Sequence, residues 1–185
     1  MDRSRLPLLA GVAGPAAFVG AWALGGALRT GYSPVEQTIS RLAEQGSSDR
    51  GVMTAGFVAF GALVPVFATR LQPRALRLSA TTSGLATLAV ALTPLTPDGG
   101  TTLDALHYVS AAVGYAGQAA SPLVGASALP HPAVSRTVGA LAGASLVASL
   151  VDSDRAGLWQ RLGLGLVDAW FAVLALRLLQ TGSRA

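Results

Sequence analysis

The chain has 185 residues, of which 51% are hydrophobic and 12% are charged, with a formal net charge of +4. A soluble domain carries about 25% charged residues, so this composition excludes a water-soluble globule and predicts the lipid bilayer as the environment. All 13 basic residues are arginines scattered between apolar blocks, and without a basic stripe no nucleic-acid partner is expected. Cysteine is absent, which excludes disulfides and thiolate metal sites.

Apolar runs long enough to cross a bilayer, which takes roughly 20 residues, recur along the chain. The first, between Arg5 and Arg29, is too long for the apolar core of a cleaved signal peptide and is interpreted as a retained anchor. The pattern predicts an all-α integral membrane bundle of about six transmembrane helices, in a single domain spanning residues 1–185. The predicted helices are residues 6–28, 51–69, 78–97, 105–129, 137–151 and 162–179.

The positions of the arginines predict how these helices are oriented in the membrane. Cytoplasmic loops are enriched in basic residues, so the short loop with Arg70, Arg74 and Arg77 predicts a cytoplasmic side, with both termini in the cytoplasm and the chain in the inner membrane. Acidic residues contribute little to orientation, yet most of them fall on the opposite side, which suggests a functional site there. These outer acids are Glu36, Glu44, Asp49, Asp98, Asp104, Asp152 and Asp154.

The first outer loop begins with Gly-Tyr-Ser-Pro at residues 31–34. Ser33 and Glu36 have the spacing of a capping box, and Pro34 suits the first helical position, so a short helix is predicted from Pro34. Such a helix could lie on the outer membrane surface as a lid over the bundle, or it could contribute Glu36 and Tyr32 to a pocket. Both interpretations stay open at this point.

The fourth predicted helix carries a polar stripe. Its start, with Thr101 and Asp104 three residues apart, again has capping-box spacing. At 100° per residue, six positions fall within one arc of about 100°, the width of a single helix face. A polar stripe at membrane depth faces the bundle interior or a wet cavity, where it serves a pocket or interhelix hydrogen bonds. The stripe consists of Asp104, His107, Tyr108, Ala111, Tyr115 and Gln118.

One acid, Asp168, lies inside the last predicted helix, with Trp170 two residues later. An isolated charge in hydrocarbon is costly, so a protonated carboxyl that can donate a proton is one interpretation, and a carboxyl bonded to a backbone carbonyl is the other. No zinc site is expected, because the two histidines, His107 and His131, are predicted at opposite membrane ends. A serine–histidine dyad is not expected either, since Ser127, the serine considered as a partner for His107, is predicted at the inner end.

The segment with Gly-Tyr-Ser-Pro at 31–34, Thr-Ile-Ser at 38–40 and Leu-Ala at 42–43 resembles a family of small bacterial membrane proteins catalogued only as a domain of unknown function. The Pro/Asp-rich turn at 94–98 and the Leu-Trp-Gln-Arg at 158–161 also fit that family. The resemblance covers the whole chain and implies a six-helix membrane fold without an established activity. Asp168 departs from the apolar last helix of the family and suggests a specialised member.

Two hypotheses of function follow from these features. The first is an integral membrane enzyme that uses buried carboxylic acids for general-acid catalysis on a lipid-like substrate. It is similar in type to terpene cyclases that cyclise prenylated small molecules, and it needs no metal or cofactor. Aromatic faces would stabilise the cation. The predicted catalytic residues are Asp168, Asp104, Glu36 and His107, and the predicted substrate-binding residues are Tyr32, Tyr108, Tyr115, Gln118 and Trp170.

The second hypothesis is a non-enzymatic multi-pass membrane protein, namely a small transporter, a lipid-binding protein or an assembly factor. In that case Asp168 and Asp104 would bind a proton or a cation, or would join helices. Six helices are few for a transporter that acts alone, so a homodimer is expected under this hypothesis.

Overall fold

A computed structural model describes residues 5–47 and 50–182, and every regular element in these ranges is helical. A short 3₁₀ helix, Ile39–Ala43, follows the first long helix, and two single 3₁₀ turns precede the last two. The six long helices are α1 (Leu6–Leu28), α2 (Arg50–Ala68), α3 (Arg74–Leu92), α4 (Thr102–Val124), α5 (Pro132–Val151) and α6 (Ala156–Gly182).

Five segments are long and apolar enough to cross a membrane, and all but α4 contribute one. The all-helical membrane class is thus confirmed, whereas six spans stay a prediction because of the polar residues on α4. The five segments are Leu6–Leu28, Arg50–Ala68, Arg74–Leu92, Pro132–Val151 and Ser153–Thr181.

Several predicted helix boundaries differ from the observed ones. α5 begins at Pro132 rather than at residue 137, since proline suits the first helical turn. α4 ends at Val124, where Gly125 leads into a 3₁₀ turn, five residues before its predicted end. α6 begins at Ala156, six residues before its predicted start.

The helices form a closed ring in which each packs against its neighbours in the chain and α6 packs against α1. Small residues allow this close packing, as is common in membrane bundles. A Cβ atom on Gly84 of α3 would lie 2.4 Å from Pro65 Cδ of α2. The aromatic core between α1, α2 and α6 includes Phe18, Phe60 and Phe171, each at most 3% exposed.

The three loops that follow α1, α3 and α5 meet at one end of the bundle. The backbone N–H of Gln45 donates to the Leu95 carbonyl at 2.9 Å, and the N–H of Leu158 donates to the Val35 carbonyl at 2.9 Å. The predicted cluster of outer acids therefore lies at one end, except for Asp49, which lies outside the described residues. We call this end the loop end; its assignment to the outer membrane face stays a prediction.

Candidate functional site

The GYSP loop, residues 31–37, is docked on the first turn of α6. Gly157 has no side chain there, and a Cβ at this position would lie 2.2 Å from the Gln37 carbonyl oxygen. Nη1 of Arg161 donates to the carbonyl oxygens of Pro34 at 2.8 Å and Gln37 at 3.0 Å. These contacts join the two family-like motifs at 31–34 and 158–161 and give them a common structural role.

Tyr32 belongs to this docking contact. Its hydroxyl accepts a hydrogen bond from Arg161 and lies 2.9 Å from the Thr38 carbonyl. The guanidinium of Arg161 also stacks over the rings of Trp22 and Tyr32, at 5.4 and 5.5 Å from the ring centroids. Burial raises the pKa of Tyr32, an effect that Arg161 partly opposes, so the phenol keeps its proton. The structure therefore gives Tyr32 a positioning role for the loop.

The predicted surface helix from Pro34 is wrong. Residues 34–37 form turns, and the 3₁₀ helix starts only at Ile39. Half of the expected capping box exists, because the Ser33 hydroxyl accepts from the N–H of Glu36 at 3.3 Å. The return hydrogen bond comes from the next residue, since Gln37 Oε1 accepts from the Ser33 N–H at 2.9 Å. Glu36 is left exposed at the loop end.

Asp104 completes the predicted capping box at the start of α4. Its carboxylate accepts four hydrogen bonds at 2.6 to 2.9 Å, from the hydroxyl and N–H of Thr101 and from the N–H and hydroxyl of Thr96. These hydrogen bonds lower the pKa of Asp104 well below its usual range, and the bond from the Thr101 hydroxyl has the largest effect. A carboxylate that is ionised and already accepts four hydrogen bonds has no proton to donate. These observations therefore favour a structural role for Asp104.

We expect Asp104→Ala to lower the melting temperature in detergent by several degrees, because four donors lose their acceptor. Asp104→Asn keeps one acceptor oxygen and should lose less. Because the pKa of Asp104 is lower in the folded than in the unfolded protein, its carboxylate stabilises the fold at pH values above the unfolded pKa. This stabilisation is lost as the pH falls through the folded pKa. The difference between wild type and Asp104→Ala should thus be full at neutral pH and shrink only in strong acid. A constant difference across that range would contradict this role.

His107 and Ser40 form a buried pair at the loop end. His107 Nδ1 lies 2.6 Å from the Thr93 carbonyl oxygen and Nε2 lies 2.8 Å from Ser40 Oγ. A carbonyl only accepts, so Nδ1 carries the proton and Nε2 accepts from the serine hydroxyl. This is the arrangement of nucleophile, base and orienting group that activates serine. The expectation that His107 has no serine partner is wrong, because Ser40 of the 3₁₀ helix, and not Ser127, is its partner.

Tyr115 and Gln160 extend the polar cluster. The Gln160 side chain accepts from the N–H of Ile39 at 2.6 Å and donates to the Tyr115 hydroxyl. Gln160 thereby fixes the 3₁₀ helix that carries Ser40, and the Tyr115 hydroxyl retains its own proton to donate to a bound molecule. Neither Ser40 nor Gln160 was singled out from the sequence, although both lie in segments that carry the family resemblance.

A cleft of about 380 Å³ opens beside this cluster, between the 3₁₀ helix, α4, the end of α5 and the start of α6. Tyr108, 57% exposed, lies on the cleft and contacts the His107 ring edge-on, at 5.9 Å between centroids. A smaller cavity of about 30 Å³, room for one or two waters, has Ser40, Tyr115 and Gln118 among its lining residues. The lining of the main cleft comprises Thr38, Ser40, Leu95, His107, Tyr108, Ala111, Ala112, Tyr115, Ser149, Leu150 and Gln160.

Asp168 and Trp170 lie away from this cleft. Trp170 is buried and its indole N–H donates to the Ser135 hydroxyl of α5 at 2.9 Å. Asp168, 2% exposed, lines a separate groove between α1 and α6. The structure thus brings His107, Tyr108 and Tyr115 together at one cleft, places Gln118 in the smaller cavity, and leaves the other predicted site residues elsewhere.

The fold and the cleft define a multi-pass, all-helical membrane protein with a polar cluster at its loop end. The family model described as protein of unknown function DUF998 matches residues 12–177, and the chain belongs to this family. No curated protein and no solved structure matches the chain. The family resemblance noted in the sequence is therefore confirmed, at the level of a membrane family without an assigned activity.

Proposed function

We propose that the protein is an integral membrane enzyme that cleaves or transfers acyl esters of lipid-like molecules, with Ser40 as nucleophile and His107 as general base. The observation that carries the proposal is the hydrogen-bond chain from Ser40 Oγ to His107 Nε2 and from His107 Nδ1 to the Thr93 carbonyl. Both side chains are buried, at 6% and 1% exposure, and both line the cleft.

The chemistry follows from this geometry. Ser40 Oγ attacks the ester carbonyl while its proton passes to His107 Nε2, and the Tyr115 hydroxyl can donate to the carbonyl oxygen as negative charge develops there. The leaving alcohol takes the proton back from His107. A water or a second alcohol then attacks the acyl-Ser40 ester, again with His107 as base, and restores the free serine.

The lining of the cleft suits a substrate with an apolar body and a polar ester. Leu95, Ala111, Ala112 and Leu150 supply apolar surface beside the polar cluster. Leu150 is 80% exposed at the end of α5, on a helix able to cross the membrane, so a chain embedded in lipid can approach from this side. With the orientation proposed from the arginines, the cleft would draw its substrate from the outer leaflet of the inner membrane.

General-acid catalysis, including cyclisation of a prenylated small molecule, is the second candidate. The observation that favours it is the buried Asp168 carboxyl, whose two oxygens have no hydrogen-bond partner among the described residues. Asp104 holds four donors and Glu36 is exposed, so this candidate rests on Asp168 alone. It predicts that membranes convert a prenylated substrate to an isomer of unchanged mass and that Asp168→Asn does not.

The serine proposal is tested by labelling with a fluorophosphonate that carries an alkyl chain, a reagent that reacts with activated serines. In the purified wild-type protein in nanodiscs, we expect covalent labelling of Ser40, located by peptide mass spectrometry. Ser40→Ala should abolish the label. Ser149→Ala is the matched control, because Ser149 lines the same cleft and its hydroxyl donates to the Leu146 carbonyl of its own helix.

Absence of labelling in the wild type, or labelling that survives Ser40→Ala, would overturn the serine mechanism. The non-enzymatic alternative, a transporter, lipid-binding protein or assembly factor with a homodimer as its expected assembly, predicts that outcome. Circular dichroism and the elution volume of each variant establish that a lost label reflects lost chemistry rather than an unfolded bundle.

A further inference from the structure

A groove lies between α1 and α6, two helices that are long and apolar enough to cross a membrane. Its volume is about 310 Å³ and its surface is almost entirely apolar. It extends from Trp22 to Val12 on α1, about 15 Å at 1.5 Å per residue. Small residues form much of its wall, and a Cβ atom on Gly165 would meet nothing within 4 Å. The groove lining consists of Val12, Pro15, Ala16, Val19, Trp22, Gly165, Asp168, Ala169 and Ala172.

Two polar side chains in this apolar groove have unpartnered atoms within the part of the chain that the structure describes. Both carboxyl oxygens of Asp168 and the indole nitrogen of Trp22 are buried without a hydrogen bond. A buried polar group without a hydrogen-bond partner destabilises the fold, and in a membrane no water replaces the missing partner. A molecule that brings a hydrogen-bonding group into the groove would supply that partner.

We propose that the α1–α6 groove binds a membrane-soluble alcohol, with its hydroxyl on Asp168 and Trp22 and its hydrocarbon chain along the small residues of α1 and α6. A hydroxyl both donates and accepts, and it can therefore pair with a carboxyl oxygen as well as with an indole N–H. The apolar wall complements the hydrocarbon chain. This site is separate from the cleft and does not depend on the proposed ester chemistry.

The charges around the groove distinguish an alcohol from an amine. The guanidinium of Arg161 stacks over Trp22 at 5.4 Å from its ring centroid, at the loop end of the groove. A positive headgroup beside Trp22 would meet this fixed positive charge. A neutral hydroxyl meets no such repulsion and also avoids the cost of carrying a charge into hydrocarbon.

The test uses a long-chain alcohol with a photoreactive diazirine in its chain, applied to the purified protein in nanodiscs, and its methyl ether as the matched probe. We expect saturable cross-linking to α1 and α6 that dodecanol competes away, and at least tenfold weaker labelling by the ether. Asp168→Leu should weaken alcohol binding about tenfold. Asp168→Asn, whose amide still donates and accepts, should stay within about threefold of wild type.

Gly165→Leu provides a second variant that leaves Asp168 in place. Gly165 lines the groove and a Cβ there would meet nothing within 4 Å, so we expect the leucine variant to fold and to lose the cross-link. The proposal is wrong if the alcohol and the ether label equally, or if Asp168→Leu binds the alcohol as well as wild type in a folded protein. Fluorophosphonate labelling of Ser40 in the same variants reports the other site independently.

Discussion

Replacing His107 with glutamine should lower the rate of ester cleavage at least a hundredfold while leaving the bundle folded. A glutamine side chain can still donate to the Thr93 carbonyl and accept from the Ser40 hydroxyl, the two partners that His107 has now. It cannot take up the serine proton, and loss of a general base costs about 10²- to 10⁴-fold. Hydrolysis of a medium-chain nitrophenyl ester by protein in nanodiscs measures kcat/KM.

The control variants separate catalysis from positioning. Ser40→Ala should lose as much activity as His107→Gln, and the double variant should lose little more, because residues that act as a unit are not additive. Ser149→Ala should keep its activity. If His107→Gln retained the wild-type rate within about threefold, His107 would be a positioning residue that holds the 3₁₀ helix, and the proposed mechanism would fail.

Replacing Gly157 with valine should destabilise the protein by about 3 kcal/mol and reduce ester cleavage more than tenfold. The new Cβ would lie 2.2 Å from the Gln37 carbonyl and 2.6 Å from the Pro34 carbonyl, and overpacking against backbone is relieved only by moving the loop. Displacement of the GYSP loop also displaces Ile39, which Gln160 holds, and with it the neighbouring Ser40. Thermal unfolding in detergent and the ester assay measure the two effects.

Gly165→Ala is the matched control on the same helix. Its Cβ would meet nothing within 4 Å, and alanine is favoured over glycine inside a helix by about 1 kcal/mol. We expect this variant to be as stable as wild type or slightly more stable, with unchanged ester cleavage. Equal effects of the two substitutions would mean that the contact of Gly157 with the loop contributes nothing specific.

Local sequence signals predicted much of the bundle. The charge-free run before Arg29 predicts α1 with the observed bounds, and the spacing of Thr101 and Asp104 predicts the capping box on α4. The polar stripe of α4 correctly indicates a helix face turned toward a cavity, with His107 and Gln118 buried. These features depend on neighbours within one or two helical turns, which a sequence displays directly.

Such local signals do not predict contacts between segments that are distant in the sequence. The partner of His107 is Ser40, 67 residues away, on a 3₁₀ helix rather than the expected surface helix. The hypothesis of general-acid catalysis places Asp168 and Asp104 among the same catalytic residues, yet one lines the α1–α6 groove and the other caps α4. Hydropathy does not show how each helix is rotated about its axis, and that rotation decides which side chains meet.

The amino-acid sequence by itself determined the membrane class, the approximate positions of six helices and the placement of most acids at one end of the bundle. Hydropathy, helix caps and charge are local properties that a sequence displays directly. Only the tertiary structure decided that the GYSP loop docks on Gly157 and Arg161, that His107 contacts Ser40 and that Asp168 faces a separate groove. The physical reason is that these contacts depend on helix rotation and close packing, which small residues on several helices set together.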